Sequence, residues 1–226
     1  MSHEHDFFAN RSTSATSTFQ TLQAASTTCT VPGDRAAYWV PTLRQGSWAK
    51  TLRAYYSAGP VKPADVVPFP AGLKLLGGRP NGLVAFSCGL GVDAPGWTTS
   101  PPPCSTPMSV LITFPQCWNG RVDPQENATM PVGGKCPNTY PKTLPLLRLL
   151  LTTSGPTTST TFSTSAGGVG RMHADFWNAW SPEVLGDLVR VCLRGERISN
   201  REIKKCRTEG TGPRAVGGDD AAETNF

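Results

Sequence analysis

The sequence predicts a mainly β fold, irregular, loop-rich and sandwich-like, with a short helical element near the C-terminus. The 226 residues include 23 Gly and 21 Pro, which interrupt the chain too often for long helices. Its apolar residues come in short runs that are rich in β-branched and aromatic side chains and are separated by Ser-, Thr- and Gly-rich segments. With 38% hydrophobic residues, the composition is neither disordered nor fibrous.

Five apolar runs are the strand candidates: residues 36–43, 54–59, 82–90, 108–115 and 144–154. The last is a strand or a buried helix, and its length and Thr-rich exit favour a strand. Pro68 and Pro70 make residues 66–78 an edge strand or an extended loop. Residues 11–30 form a loop or a short helix around 19–25, and residues 155–168 form a loop.

The helical element begins at Ser181-Pro182-Glu183, where a capping hydroxyl precedes Pro at the first helical position and an acid in the first turn. A second short helix is expected from Ser199 to Arg207. We therefore predict one domain over residues 1–207, followed by a disordered tail over 208–226.

Seven cysteines in a chain of this size are typical of an exported protein. Their spacing suggests three local disulfides and leaves Cys29 outside them, although six cysteines alone permit 15 connectivities. The suggested pairs are Cys88–Cys104, Cys117–Cys136 and Cys192–Cys206.

Other features limit the possible partners and the possible location of the protein. A net charge of +5 without a dense basic cluster excludes nucleic acid as a partner. No apolar run is long enough to span a membrane. The composition indicates a secreted protein, yet the polar start is not a signal peptide, so we expect a shortened N-terminus.

All three histidines lie in two segments that resemble each other, HEHDFFAN (3–10) and MHADFWNAW (172–180). In extended chain, His3 and His5 project to one side, and so do His173 and Asp175. We expect the two segments to form one site. Its residues can bind zinc, copper or iron as a divalent metal through His3, His5 and His173.

The same residues can also run acid–base catalysis without a metal. Either His5 or His173 would act as the acid or base, and Asp6 or Asp175 would orient it. A histidine beside aromatic residues is also typical of a polar core network, but three of them gathered beside Asp and Asn favour a functional cluster.

A second candidate is CWNGRVD (117–123), where Trp118, Asn119 and Asp123 offer an aromatic platform with polar groups, as sugar sites do. The alternative, which we favour, is a Trp packed on the Cys117–Cys136 disulfide. The Tyr38-Trp39 and Tyr55-Tyr56 pairs have the same two interpretations, with core packing favoured.

Several segments in order along the chain resemble one family. SHEHDFFANRSTSA (2–15) is similar to the motif S-H-x-H-x-F-F-G-N-x-S-T of a large secreted family of unknown function. In fungi, its members are often joined to WSC-type carbohydrate-binding domains. The similarity continues through TTCTVPGDRAAYWVPTL (27–43), PFPAGLKLLGG (68–78), ITFPQCWNGRVD (112–123), GKCPNTYPKTLPLL (134–147) and MHADFWNAW (172–180).

The resemblance implies secretion and a link to cell-wall or extracellular polysaccharide. It matches Asn10, which we add to the candidate substrate-binding residues, together with Trp118 and Asp123. The chain also departs from the family, because Glu126, Thr129 and Tyr140 stand where histidines are expected. These losses predict a divergent or degenerate member.

Two hypotheses of function follow from these observations. The first is a secreted glycan-active enzyme, hydrolytic or lyase-like, that acts on polysaccharide through the His/Asp cluster. The second is a non-catalytic carbohydrate- or wall-binding module with structural or metal-bound histidines.

Overall fold

The computed structural model describes residues 3–78, 83–121, 127–156 and 162–196, and the backbone of 221–225. It contains two short α-helices, α1 (Phe19–Ala24) and α2 (Pro182–Leu188). Its strands, in chain order, are β1 (His5–Ala9), β2 (Ala37–Pro41), β3 (Thr51–Ser57), β4 (Lys74–Gly78), β5 (Val84–Ser87), β6 (Pro107–Thr113), β7 (Cys117–Trp118), β8 (Ala128–Thr129), β9 (Lys142–Thr143), β10 (Leu146–Pro156), β11 (His173–Trp177) and β12 (Ala221–Asn225).

These strands form three sheets, so the predicted mainly β class is confirmed. One sheet has four strands in the order β1-β2-β11-β4, and a second has five in the order β12-β3-β10-β6-β5. A small third sheet has the order β8-β7-β9. All described pairings are antiparallel except that of β12 with β3.

The four-stranded and five-stranded sheets pack face to face around an aromatic core. The Tyr38 and Tyr56 hydroxyls, one from each sheet, lie 2.5 Å apart. The rings of Phe114 and Phe176 meet edge to face, with centroids 6.4 Å apart. Gly77 allows β4 to approach, since a Cβ there would lie 2.6 Å from the Phe114 ring. The two layers bury most of the apolar side chains between them.

Alternation along the four-stranded sheet separates an inner side from an outer side. Phe8, Tyr38 and Phe176 point into the core and are buried. Most residues that alternate with them point the other way and are partly or fully exposed, as expected for a sheet with one packed face. These outward side chains are His5, Phe7, Trp39, Lys74, Leu76, His173, Asp175 and Trp177, and we call them the outer face.

β1 ends in a left-handed residue. Ala9 has φ +74° and is buried, a conformation that residues with a Cβ rarely adopt. The related motif has Gly at this position, which is the residue that this backbone favours. Asn10 follows, and its side-chain amide bonds to two backbone carbonyls. Its Nδ2 donates to Leu22 O at 2.9 Å and to Arg35 O at 2.6 Å.

Each strand candidate of the sequence analysis contains a strand, with shifts of one to three residues at most ends. Residues 66–78 divide into an irregular segment and β4, and the short helix near residue 19 is α1. α2 begins as expected, with Ser181 as its N-cap, and continues as a π-helical turn over Val189–Leu193. The helix expected at 199–207 lies outside the described residues.

Two of the three suggested disulfides are confirmed, Cys88–Cys104 and Cys117–Cys136. Cys206 of the third suggested pair lies outside the described residues, and Cys29 is a buried thiol. The division at residue 207 stays a prediction: of residues 208–226, the structure describes only the stretch that forms β12. Within the described ranges, no helix is both long and apolar enough to cross a bilayer.

Candidate functional site

The three histidines meet at one end of the outer face. β1 and β11 lie on either side of β2, which at this level contributes Pro41, the partner of His5 in the register. Because Pro41 is buried and carries no long side chain, imidazoles from the flanking strands can meet across it. His3 Nε2 lies 3.3 Å from His173 Nε2, and the ring centroids of His3 and His5 are 4.3 Å apart. The three residues offer nitrogens that all lie within 4.8 Å of one another.

A backbone carbonyl sets the tautomer of His173. Its Nδ1 lies 2.7 Å from Arg171 O, and because a carbonyl only accepts, Nδ1 carries the proton. In neutral His173 the lone pair is therefore on Nε2, which points towards His3. The 3.3 Å contact then needs either a proton on His3 Nε2 or a cation between the two nitrogens. In a metal-ligating histidine, the ring nitrogen that does not bind the metal usually donates a hydrogen bond to a carbonyl or carboxylate.

His5 is the least satisfied member of the cluster. Its Nε2 is buried and makes no hydrogen bond within the described part of the chain. Burial first, and then the nearby His3 and His173, lower the pKa of His5 to about 4, although a hydrogen bond to the His3 backbone opposes the shift. Burial also lowers the pKa of His173. Both imidazoles are therefore neutral near pH 7, the form that binds a metal.

Asp175 adds a carboxylate to the cluster. Its Oδ2 lies 3.9 Å from His5 Nε2 and 3.8 Å from His173 Nε2. Burial raises the pKa of this carboxyl to about 7. Of the two predicted acids, Asp175 is thus the one that reaches the histidines.

The donor types and the closest pair of nitrogens fit a small divalent cation. Zinc holds imidazole nitrogens at about 2.0–2.1 Å, so two ligands of a tetrahedral ion are roughly 3.3–3.4 Å apart. The His3 and His173 nitrogens already have this separation. Three imidazoles without a thiolate suit zinc, copper or iron, and a fourth position would remain for water or substrate.

Two predicted residues lie apart from the cluster. Asp6 projects from the side of β1 opposite to His5, and its carboxylate accepts a hydrogen bond from Thr42 Oγ1 at 3.1 Å. Asn10 is buried, and besides its two donated bonds its Oδ1 accepts from Ser12 N at 3.0 Å. With three hydrogen bonds made to the backbone, Asn10 supports the chain at the end of β1 and has little left to offer a ligand.

The second sequence candidate lies in the three-stranded sheet. Trp118 is partly buried against the core, its Nε1 donates to Arg121 O at 2.6 Å, and Cys117 beside it forms the Cys117–Cys136 disulfide. Asn119 Oδ1 accepts from Arg121 N at 3.0 Å, which stabilises the turn. Asp123 lies outside the described residues. This arrangement agrees with the packing interpretation of Trp118.

An aromatic pair lies beside the histidines, and it includes Trp39, for which core packing was the favoured interpretation of the sequence. Phe7 is 44% exposed, and its ring is stacked on Trp39 with centroids 5.5 Å apart and 27° between the planes. Trp177 follows Asp175 by two positions on β11 and also points outward. One signal in the sequence could have identified Trp39 as outward-facing. Trp39 lies between Tyr38 and Val40, both apolar and buried, so strand alternation places it on the opposite side of the sheet.

Comparison with known proteins supports the resemblance that the motifs indicate. No curated protein and no solved structure matched the chain. The profile of one family matches residues 1–180, a span that includes every residue of the histidine cluster. The chain therefore belongs to the family described as domain of unknown function DUF1996.

Proposed function

We propose that this domain is a secreted hydrolytic enzyme that acts on extracellular polysaccharide and holds one divalent cation, zinc by preference, on His3, His5 and His173. The observation that carries the proposal is the convergence of the three imidazoles. Two of them, on residues 170 positions apart in the chain, have Nε2 atoms 3.3 Å apart. The two nitrogens can share only one proton in a hydrogen bond, whereas a cation would be bound by all three residues.

The chemistry follows from three protein ligands and an open position. A cation held by His3, His5 and His173 would lower the pKa of a bound water to near 7 and so would supply a nucleophile at neutral pH. Asp175, within 3.9 Å of two ligand nitrogens, can accept the proton of that water. Asp175 would then return this proton to the leaving oxygen, as the bond between that oxygen and the attacked carbon breaks and the water oxygen takes its place.

Two features support the location and the class of substrate. The disulfides Cys88–Cys104 and Cys117–Cys136 are compatible with an extracellular protein. The motif resemblance implies an association with cell-wall polysaccharide. Exposed aromatic rings beside the cluster are the side chains that sugar rings pack on.

A second candidate is metal-free acid–base catalysis by a His–Asp pair. It is favoured by the position of the Asp175 carboxylate beside both His5 and His173. The two mechanisms differ in one respect that can be measured, because a chelator abolishes the first and leaves the second unchanged.

Metal analysis of protein purified without a polyhistidine tag tests the proposal. The chain has only three histidines, so every imidazole signal in a nitrogen-15 NMR spectrum belongs to the cluster. We expect all three to shift together on addition of zinc and to saturate at one equivalent. His173→Ala should abolish stoichiometric binding, whereas Asp6→Asn, on the other side of β1, should keep it.

Release of sugar or acyl groups from a panel of polysaccharides then tests the reaction. Activity that is lost with a chelator and restored by zinc supports the proposal. A protein that binds no metal, with imidazoles that titrate independently, contradicts it. Zinc binding and polysaccharide binding without any turnover would identify a non-catalytic module instead.

A further inference from the structure

The outer face continues from the histidine cluster as a surface of aromatic side chains. The register places Trp39 directly between Phe7 on β1 and Asp175 on β11. Phe7 also follows His5 by two positions on the same strand, a step of roughly 7 Å. The aromatic pair is therefore an immediate neighbour of the candidate metal ligands.

The far end of this surface is formed by Trp177 and Lys74, which are partners in the register of β11 and β4. The Lys74 ammonium lies 3.9 Å from the centroid of the Trp177 ring. Lys74 is the only Lys or Arg side chain among the outer-face residues. One cation that already contacts an aromatic ring does not make a surface for a polyanion.

We infer that the outer face binds a neutral, β-linked polysaccharide whose pyranose rings pack on Phe7 and Trp39 and which thereby extends into the histidine cluster. This inference rests on the proposed function and names its class of substrate. A pyranose with equatorial substituents has apolar C–H faces and a rim of hydroxyl groups. Exposed aromatic rings match the faces, and the neighbouring histidine, carboxylate and ammonium groups match the rim.

The shape of the surface favours an extended chain. Phe7 and Trp39 project from adjacent strands of an antiparallel sheet, with Phe7 on the edge strand β1, so the platform is open at the side. Chains with equatorial linkages, such as cellulose and chitin, are extended and can lie along such a face. Coiled α-linked glucans present a different outline.

Retention on insoluble polysaccharide tests the inference with cellulose and chitin as extended β-linked probes. Starch and polygalacturonate serve as α-linked and anionic comparisons. We expect retention on at least one β-linked polymer, with affinity reduced about tenfold in Trp39→Ala, which removes one stacked ring. Trp97→Ala is the matched control, a partly exposed Trp outside the four-stranded sheet, and should bind like the unsubstituted protein.

Phe7 supplies variants that fold even where Trp39→Ala does not, because its side chain is exposed at the sheet edge. Phe7→Leu keeps apolar bulk without an aromatic ring and should weaken retention, whereas Phe7→Tyr should keep it. Retention that is unchanged in Trp39→Ala and Phe7→Leu overturns the inference. Retention lost only in Trp118→Ala would assign binding to the three-stranded sheet instead.

Metal analysis separates this inference from the proposed function. The two platform variants should retain one zinc per chain, since neither residue supplies a ligand nitrogen. His173→Ala should lose zinc and still be retained on the β-linked polymer. Binding that depends on Trp39 in a protein without zinc would refute only the metal centre. Zinc binding without retention on any β-linked polymer would refute only the glycan surface.

Discussion

Two polar clusters lie on opposite sides of the four-stranded sheet, and they differ in how completely their groups are paired. On the inner side, Trp180 Nε1 donates to the Tyr56 hydroxyl at 3.1 Å, and the hydroxyl oxygens of Tyr56 and Tyr38 lie 2.5 Å apart. Tyr38 in turn donates to Asp34 Oδ2 at 2.7 Å. Burial above all, together with the Asp34 charge, raises the pKa of both tyrosines well above 10, so they stay protonated as donors.

The outer cluster is paired only in part, through the contact of His3 Nε2 with His173 Nε2 and the bond of His173 Nδ1 to Arg171 O. His5 Nε2 is buried without a hydrogen bond to any described residue, and Asp175 stands 3.8–3.9 Å from its two nearest imidazoles, too far for hydrogen bonds. Buried polar groups that hold a fold together are normally satisfied. The comparison therefore separates a fully paired network from a cluster whose polar groups are only partly paired among the described residues.

The largest effect expected from this difference is stabilisation of the protein by zinc. Free zinc at a thousand times its dissociation constant should raise the free energy of unfolding by about 4 kcal/mol. Denaturant unfolding with and without zinc measures it. His173→Ala should show no such increase, and equal stabilisation of that variant would mean that zinc binds somewhere else.

Loss of hydrogen bonds in the inner network should lower the free energy of unfolding by nearly as much. Tyr38→Phe removes the donor to Asp34 and the acceptor for Tyr56, and the loss of a partner to a buried carboxyl should lower the free energy of unfolding by about 2–3 kcal/mol. Tyr55→Phe, at a partly exposed position on the same strand as Tyr56, should change it by less than about 0.5 kcal/mol.

The two variants also report on the division of roles. Tyr38→Phe should keep one zinc per chain as long as it is folded, since the network lies on the other side of the sheet. A loss of zinc from folded Tyr38→Phe would show that the two clusters act as one.

Strand β1 joins both kinds of region, because its first residue belongs to the site and its last is structural. Ala9→Val places a β-branched residue at φ +74° in a buried position, which should destabilise the protein by about 2 kcal/mol. Thermal or denaturant unfolding measures the loss, and zinc stoichiometry should not change. Ala9→Gly is the control and should lie within about 1 kcal/mol of the unsubstituted protein, since relief of the left-handed conformation offsets a lost methyl and added chain entropy.

The smallest effect concerns pH and the metal-free protein. Because the pKa of His5 is lowered to about 4, its contribution makes stability rise with pH between 4 and 6.5. The pKa of Asp175 is raised to about 7, so its contribution makes stability fall as pH rises from 3.8 to 7. Between pH 4 and 6.5 the Asp175 slope opposes that of His5 and of His173, whose pKa is also lowered, so the unsubstituted protein should change less than a variant without this carboxyl.

Asp175→Asn should uncover the histidine slope. In the presence of a chelator, its free energy of unfolding should rise from pH 4 to 6.5, by up to about 1.4 kcal/mol for each pH unit from His5, and the lowered pKa of His173 adds a slope of the same sign. Denaturant unfolding across this range measures both proteins. Parallel profiles would contradict the opposed titrations and, with them, the contrast between a satisfied and an unsatisfied cluster.

Local pattern was enough to predict much of the fold. The short apolar runs at 36–43 and 108–115 became β2 and β6, and the Ser181 cap became the start of α2. The disulfides Cys88–Cys104 and Cys117–Cys136 also form between residues that are near in sequence. These features depend on neighbours along the chain, which a sequence displays directly.

The candidate site was predictable only in part. The repeated His, Asp and aromatic pattern led to His3, His5 and His173 as one cluster, and the structure brings them together. The pattern could not choose between Asp6 and Asp175, because that choice depends on the strand order that places β11 within reach of β1 across β2. It also could not show which of Tyr38 and Trp39 faces the core and which faces outward, because the two adjacent aromatics lie on opposite sides of one sheet.

The sequence by itself determined the strand class of the fold, two local disulfides and the residue types of the cluster. Only the tertiary structure decided that β2, with Pro41, lies between β1 and β11, and that imidazoles from both flanking strands therefore meet. It also decided that Asn10 is a backbone support and that Phe7 and Trp39 form an exposed pair. The physical reason is that strand order is set by packing between residues more than a hundred positions apart, which no local pattern encodes.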